Sequence, residues 1–150
     1  WKAATKGEDW LIGDTLNACI GQGFVLSSPL QLAVMTARIA TGKSVMPTLI
    51  RAVDGRRRIQ PPLETLDISA GNLRAVRDAM DEVVNTRGGT AHRSRLLGED
   101  MQMAGKTGTS QVRNITAAER ASGVIRNEDL PWERRDHALF VGYGPVDTPR

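Results

Sequence analysis

The stretch Ala104-Gly105-Lys106-Thr107-Gly108-Thr109-Ser110-Gln111-Val112 decides how this chain is read. Its Gly-Lys-Thr core first invites a phosphate loop. That loop needs a glycine five positions before Gly105, where Asp100 stands. It also needs a helix directly afterwards, so that backbone amides and the helix dipole converge on phosphate. Residues 107–112 are a poor helix start and a good strand, so the nucleotide reading is set aside. A Lys-Thr-Gly strand has a different use. It offers an ammonium, hydroxyls and a backbone amide at one place. The ammonium favours a carboxylate or a developing alkoxide beside it. Hydroxyls orient that carboxylate, and the glycine lets an acyl substrate lie against the backbone.

Outward from this stretch, residues 101–112 and His137–Tyr143 read as strands, the second closed by Gly144-Pro145. They are expected to pair antiparallel around residues 113–136, a mixed-charge insertion expected to be a solvated, mobile loop. Trp132 within it either anchors that loop or is an exposed contact. Upstream, Ser28-Pro29 starts a helix with a serine cap and proline at the first helical position. Leu32, Met35 or Thr36, and Ile39 recur at helical spacing, and Gly42 stops it. Residues 45–53 read as extended, leading into the turn Asp54-Gly55, and Pro61-Pro62 marks a break. A second helix is capped by Ser69 and carries the stripe Leu73, Val76, Met80, Val83 and Val84. Arg74, Arg77, Asp78, Asp81 and Glu82 are expected on its other face, with Gly88-Gly89 ending it. Residues 1–27 show little periodicity and read as loops with short extended pieces. The fold class is α+β. Two strands do not make a stable sheet alone, so the chain is expected to be cut from something larger.

The 150 residues carry 40% hydrophobic and 25% charged side chains and a formal net charge of +3, ordinary values for a globular protein. No apolar run approaches the length of a membrane span, and no signal-peptide pattern opens the chain. Arg56-Arg57-Arg58 is the densest basic run and reads as a solvated turn, so no nucleic-acid partner is expected. The single cysteine, Cys19, excludes an intrachain disulfide and is expected to be buried. His92 and His137 have no second metal ligand at useful spacing, so neither a metal nor a cofactor is expected. Gly21-Gln22-Gly23 reads as a tight turn rather than a dinucleotide fingerprint.

In order along the chain come Gly13-Asp14-Thr15, Ile20-Gly21-Gln22-Gly23 and Ser28-Pro29-Leu30-Gln31-Leu32-Ala33. Then follow Gly89-Thr90-Ala91, Gly105-Lys106-Thr107-Gly108-Thr109, and Asp136-His137-Ala138-Leu139-Phe140-Val141-Gly142-Tyr143-Gly144-Pro145. With these segments in this order, the chain resembles the class B penicillin-binding proteins, and their cell-elongation branch, penicillin-binding protein 2, most closely. The resemblance implies a serine acyl-transferase: a D,D-transpeptidase that cross-links peptidoglycan stem peptides and is inhibited by β-lactams. A Ser-x-x-Lys motif supplies nucleophile and base there, a Ser-x-Asn motif assists proton transfer, and the Lys-Thr-Gly strand closes the third side. By the same resemblance Lys106 helps the Ser-x-Asn hydroxyl pass a proton. Thr107 and Thr109 bind the terminal carboxylate of the stem peptide or of a β-lactam. The Thr109 backbone N–H is an oxyanion donor, and Gly108 gives clearance. Gly88-Gly89-Thr90-Ala91 reads as a helix end followed by a loop; the resemblance puts it near the active-site rim, with a minor substrate-facing role as the alternative.

The chain departs from that pattern in one respect. Ser27, Ser28, Ser44, Ser69, Ser94, Ser110 and Ser122 include none with lysine three positions on or asparagine two positions on. Residues 1–150 are therefore expected to be a C-terminal part of one transpeptidase domain, without its nucleophile and inactive alone. The resemblance implies the periplasmic face of the inner membrane, anchored by sequence outside this chain. Implied partners are the stem peptide, β-lactams, the remainder of the domain, and a glycosyltransferase of the elongation machinery. Two rival readings are a β-lactamase or carboxypeptidase of the same fold, and a non-catalytic β-lactam sensor or scaffold.

Overall fold

The computed structural model describes residues 1–113 and 115–149, and the chain divides into two compact units, Trp1–Leu32 and Ala33–Arg150. In the first unit, residues 1–27 are not mainly loop and extended pieces as expected. They form helices α1 (Lys2–Lys6) and α2 (Ile12–Cys19). Helices this short do not stand on propensity; they stand on specific contacts that periodicity does not display. The buried Lys2 ammonium donates to Asp14 Oδ2 at 2.7 Å and to the Asp9 carbonyl at 3.0 Å, with Glu8 3.5 Å away. Asp14 also accepts from the Leu11 N–H at 2.8 Å, closing the first turn of α2. Trp10 Nε1 donates to Thr15 Oγ1 at 2.8 Å. The Phe24 ring lies 5.6 Å from Trp1 and 6.4 Å from Trp10, with the Lys2 ammonium 5.5 Å from its centroid. The Gly13-Asp14-Thr15 segment thus supplies both an ion-pair partner and an indole acceptor. Cys19 is exposed rather than buried; its apolar neighbours misled, because Ile20 is exposed too. The turn expected at Gly21-Gln22-Gly23 is present, with both glycines at positive φ.

Helix α3 (Pro29–Thr41) begins with a reciprocal capping box. The Ser28 N–H donates to Gln31 Oε1 at 2.8 Å, and the Gln31 N–H donates to Ser28 Oγ at 3.3 Å. Gly42 ends it at φ 69°. Of the extended piece expected over residues 45–53, only Ala52–Val53 (β1) is strand; it pairs antiparallel with Arg56–Arg57 (β2) through Asp54-Gly55. The arginines there are exposed, as a solvated turn requires.

Helix α4 (Ala70–Asn85) starts where Ser69 Oγ accepts from the Asn72 N–H. Met80 and Val84 are buried, while Val76, expected in the same stripe, is largely exposed. Arg77, expected on the solvent face, turns inward instead: its Nε donates to the Ile39 carbonyl at 2.7 Å. That contact places a cation at the C-terminal end of α3, where the helix dipole favours one.

Strand β3 (Ala104–Ser110) pairs antiparallel with β4 (His137–Tyr143), in the register Ala104↔Tyr143, Thr107↔Phe140 and Ser110↔His137. Both strands and their pairing match the sequence reading, although β3 is shorter than residues 101–112. Glu99–Met101 is instead a 3-10 turn. Helix α4 packs on β3, with Val84 and Ala104 both fully buried. Asn85 Nδ2 ties the end of α4 to the entry of β3, donating to the Met103 carbonyl at 3.1 Å.

The described part of residues 113–136 is organised rather than a loose loop. It contains helix α5 (Ala117–Ser122) and 3-10 turns at Asn127–Asp129 and Trp132–Arg134. Arg113 grips Glu119 with two bonds, at 2.7 and 2.6 Å, and this pairing holds the Glu119 carboxyl below the usual carboxylate range. Asn127 and Asp136 exchange hydrogen bonds at the base of the insertion, and Asp136 also accepts from the Val112 N–H at 3.0 Å. Trp132 is exposed, with the Arg135 guanidinium 5.8 Å from its ring.

Candidate functional site

Lys106, Thr107, Gly108 and Thr109 all lie on β3, and among the described residues β3 pairs only with β4. One edge of the strand is therefore open. In an antiparallel pair, alternate N–H groups point to the partner and away from it, so the open edge carries unpaired donors. Residues directly opposite share a face. Thr107 and Thr109 stand on the face of Phe140 and Ala138, while Lys106 and Gly108 stand on that of Val141 and Leu139.

Two glycines of the strand serve different ends. A Cβ on Gly105 would meet the Phe140 ring at 2.4 Å and the Val141 carbonyl at 2.7 Å, so Gly105 exists to seat that ring. A Cβ on Gly108 would meet nothing closer than Leu139 Cβ at 3.8 Å, an ordinary contact. The sheet's own packing does not require glycine there. Its bareness matters only for something that approaches from outside.

Lys106 is exposed and its ammonium donates to the Thr107 carbonyl at 2.6 Å. Thr107 is half-buried, and Thr109 is exposed. Thr107 Oγ1 lies 2.8 Å from Thr90 Oγ1. The family resemblance put Gly88-Gly89-Thr90-Ala91 near the rim, but nothing in the sequence showed this contact, which arises only when the loop after α4 folds onto β3. Next to it, His92 Nδ1 is buried without a hydrogen-bond partner. The two serines expected as helix caps are caps: Ser28 Oγ accepts from the Gln31 N–H and Ser69 Oγ from the Asn72 N–H. Ser122 Oγ donates to the Ala118 carbonyl.

Two grooves lie among the described residues. One groove of ≈ 530 Å³ is lined by Leu96, Met101, Met103 and Phe140. Another, of ≈ 550 Å³, runs beside Arg77, Asp81 and Tyr143, and burial raises the pKa of the Tyr143 phenol above its ordinary value. Neither is lined by Lys106, Thr107 or Thr109; the candidate site is read from the open strand edge with an ammonium and hydroxyls on it. Among the described residues no cluster of His, Cys, Asp and Glu could hold a metal, and no helix is long and apolar enough to cross a membrane.

Residues 2–150 match the family model described as the penicillin binding protein transpeptidase domain. The chain belongs to that family. It is similar to the peptidoglycan D,D-transpeptidase MrdA of Acinetobacter baumannii, 36% identical over 99% of this chain and 22% of the relative. Among solved structures it is similar to Pseudomonas aeruginosa PBP2 in complex with WCK 5153, at TM-score 0.75 and 32% identity, over 100% of this chain and 30% of that one. It is also similar to PBP2 in a complex with MreC from Helicobacter pylori, at TM-score 0.70 and 33% identity, over 99% of this chain and 24% of that one. The chain thus spans less than a third of each of these proteins. The α+β class agrees with these neighbours.

Proposed function

We propose that residues 1–150 are part of one transpeptidase domain, and that the whole protein is a peptidoglycan D,D-transpeptidase acting through a serine acyl-enzyme. The observation that carries this reading is Lys106-Thr107-Gly108-Thr109 on a strand with an open edge, within a chain matched almost end to end by the transpeptidase family model.

The chemistry follows from these groups. A serine outside residues 1–150 attacks the carbonyl carbon of the D-Ala-D-Ala bond, the terminal D-Ala leaves, and an acceptor peptide amine then takes the acyl group from the serine. Thr107 and Thr109 hydroxyls hold the terminal carboxylate. The Thr109 N–H donates to the tetrahedral oxyanion, where a preorganised donor is most effective. The bare backbone at Gly108 lets the acyl chain lie along the strand. Lys106, swung away from the Thr107 carbonyl, supplies positive charge beside the group that relays the serine's proton. A β-lactam enters by presenting its own carboxylate to the same hydroxyls. Among the wider partners we propose the stem peptide, a glycosyltransferase, and a protein partner of the kind seen with H. pylori PBP2, whose complex contains MreC. The periplasmic face of the inner membrane is where such a substrate lies.

The test is acylation of the whole protein by a fluorescent penicillin. Lys106→Ala is expected to slow it about 10²–10³-fold, the scale for losing one preorganised electrostatic contact. Equal rates for wild type and variant would remove Lys106 from the site.

A further inference from the structure

The Thr90–Thr107 contact has a chemical consequence that follows from the reading above. A carboxylate is an acceptor only, so Thr107 recognises one by donating its single hydroxyl proton. The Thr107 oxygen then remains an acceptor, and the hydroxyl 2.8 Å away is that of Thr90. We propose that Thr90 is a positioning residue for substrate carboxylate: its O–H donates to Thr107 Oγ1, which fixes the Thr107 rotamer and leaves the Thr107 proton directed at the carboxylate. A chain of donors running Thr90 to Thr107 to carboxylate polarises in one direction, so the outer bond strengthens the inner one.

The loop bearing Thr90 is built to hold it there. Gly89 sits so close to the last turn of α4 that a Cβ would fall 2.2 Å from the Val83 carbonyl. The Ala91 N–H donates to that same carbonyl at 3.0 Å, and the His92 N–H donates to the Gly89 carbonyl at 3.1 Å. Ala91 is buried. The flanking residues on either side of Thr90 are thus fixed to α4, and α4 is fixed to β3 through Val84 and the Asn85–Met103 bond. An exposed threonine on a free loop would keep its rotamer freedom. Here the backbone beneath it has none to spare, and the hydroxyl lands on Thr107, one of the two strand threonines expected to hold the carboxylate.

The experiment compares wild type, Thr90→Val, Thr90→Ala and Thr90→Ser of the whole protein. Acylation rates are measured with benzylpenicillin and with its methyl ester, which lacks the carboxylate charge. Thr90→Val and Thr90→Ala are expected to reduce the preference for the free acid over the ester by about three- to tenfold, the scale of one hydrogen bond. Thr90→Ser, which keeps the donor, is expected to restore it. If Thr90→Val alone fails to fold, Thr90→Ala and Thr90→Ser decide the matter. An unchanged acid-to-ester ratio, or equal losses on both compounds, would overturn the proposal while leaving the transpeptidase reading intact. A wild-type protein that neither compound acylates would overturn both.

Discussion

Gly105 and Gly108 stand three residues apart on one strand, and the structure assigns them opposite sensitivities. Replacing Gly105 by alanine drives a methyl group to 2.4 Å from the Phe140 ring and 2.7 Å from the Val141 carbonyl. The ring can rotate away only by abandoning Gly142, whose own Cβ position lies 2.9 Å from it. The Val141 carbonyl is backbone in the paired strand and moves only if the β3–β4 register loosens. Overpacking of this kind costs about 1–3 kcal/mol, which for a chain of this size lowers the unfolding midpoint by roughly 2–12 °C. Gly108→Ala meets only Leu139 Cβ at 3.8 Å, so its stability is expected within about 0.5 kcal/mol of wild type. On the proposed function its penalty falls on chemistry instead. A methyl group on the bare backbone displaces the acyl chain, and a misplacement of about 1 Å is enough to cost about 10²-fold in acylation. Thermal unfolding and penicillin acylation, both of the whole protein, together give the pattern. Equal midpoints for the two variants, or a Gly108→Ala protein acylated at the wild-type rate, would refute the assignment.

Other outcomes follow from the charge contacts. The Asp14 carboxyl is held below its ordinary value of 3.8, chiefly by the Lys2 hydrogen bond. A depressed folded pKa gives stability that is present above the unfolded value and lost as pH falls through the folded one. Wild type is therefore expected to lose stability as pH falls below about 3.8, and Asp14→Asn to start less stable at neutral pH and lose less on acidification; parallel pH profiles by tryptophan fluorescence would contradict this. Arg113→Lys cannot span both Glu119 oxygens, since an ammonium lacks the fork. Limited proteolysis of residues 113–136 is expected to accelerate in that variant with little change in the global unfolding midpoint, and unchanged cleavage would show that the grip does not order the insertion.

Much of this arrangement was legible in the sequence because it rests on local rules. The Ser28 and Ser69 caps, the Gly42 stop, the Asp54-Gly55 turn and the two long strands each follow from a few adjacent residues. The segments that eluded the sequence depend on partners far along the chain or on hidden ion pairs. The helices around Lys2 and Asp14 form about a buried ammonium, with no apolar stripe to announce them. Arg77 belongs to the charged face by periodicity, yet the Ile39 carbonyl, 38 positions earlier, draws it inward. The insertion looked loose because charge pattern does not reveal which arginine finds which glutamate. At the site, Lys106, Thr107, Gly108 and Thr109 were found together because they are contiguous. Thr90 was not tied to Thr107, because only the docking of the loop after α4 brings their hydroxyls together.

The central claim is that residues 1–150 supply the carboxylate-binding strand and that the nucleophile lies outside them. The most direct measurement is peptide mapping by mass spectrometry of the whole protein after labelling with penicillin. One stoichiometric adduct is expected, on a serine outside residues 1–150 that is followed three residues later by lysine. A stoichiometric adduct on Ser27, Ser28, Ser44, Ser69, Ser94, Ser110 or Ser122 would contradict it.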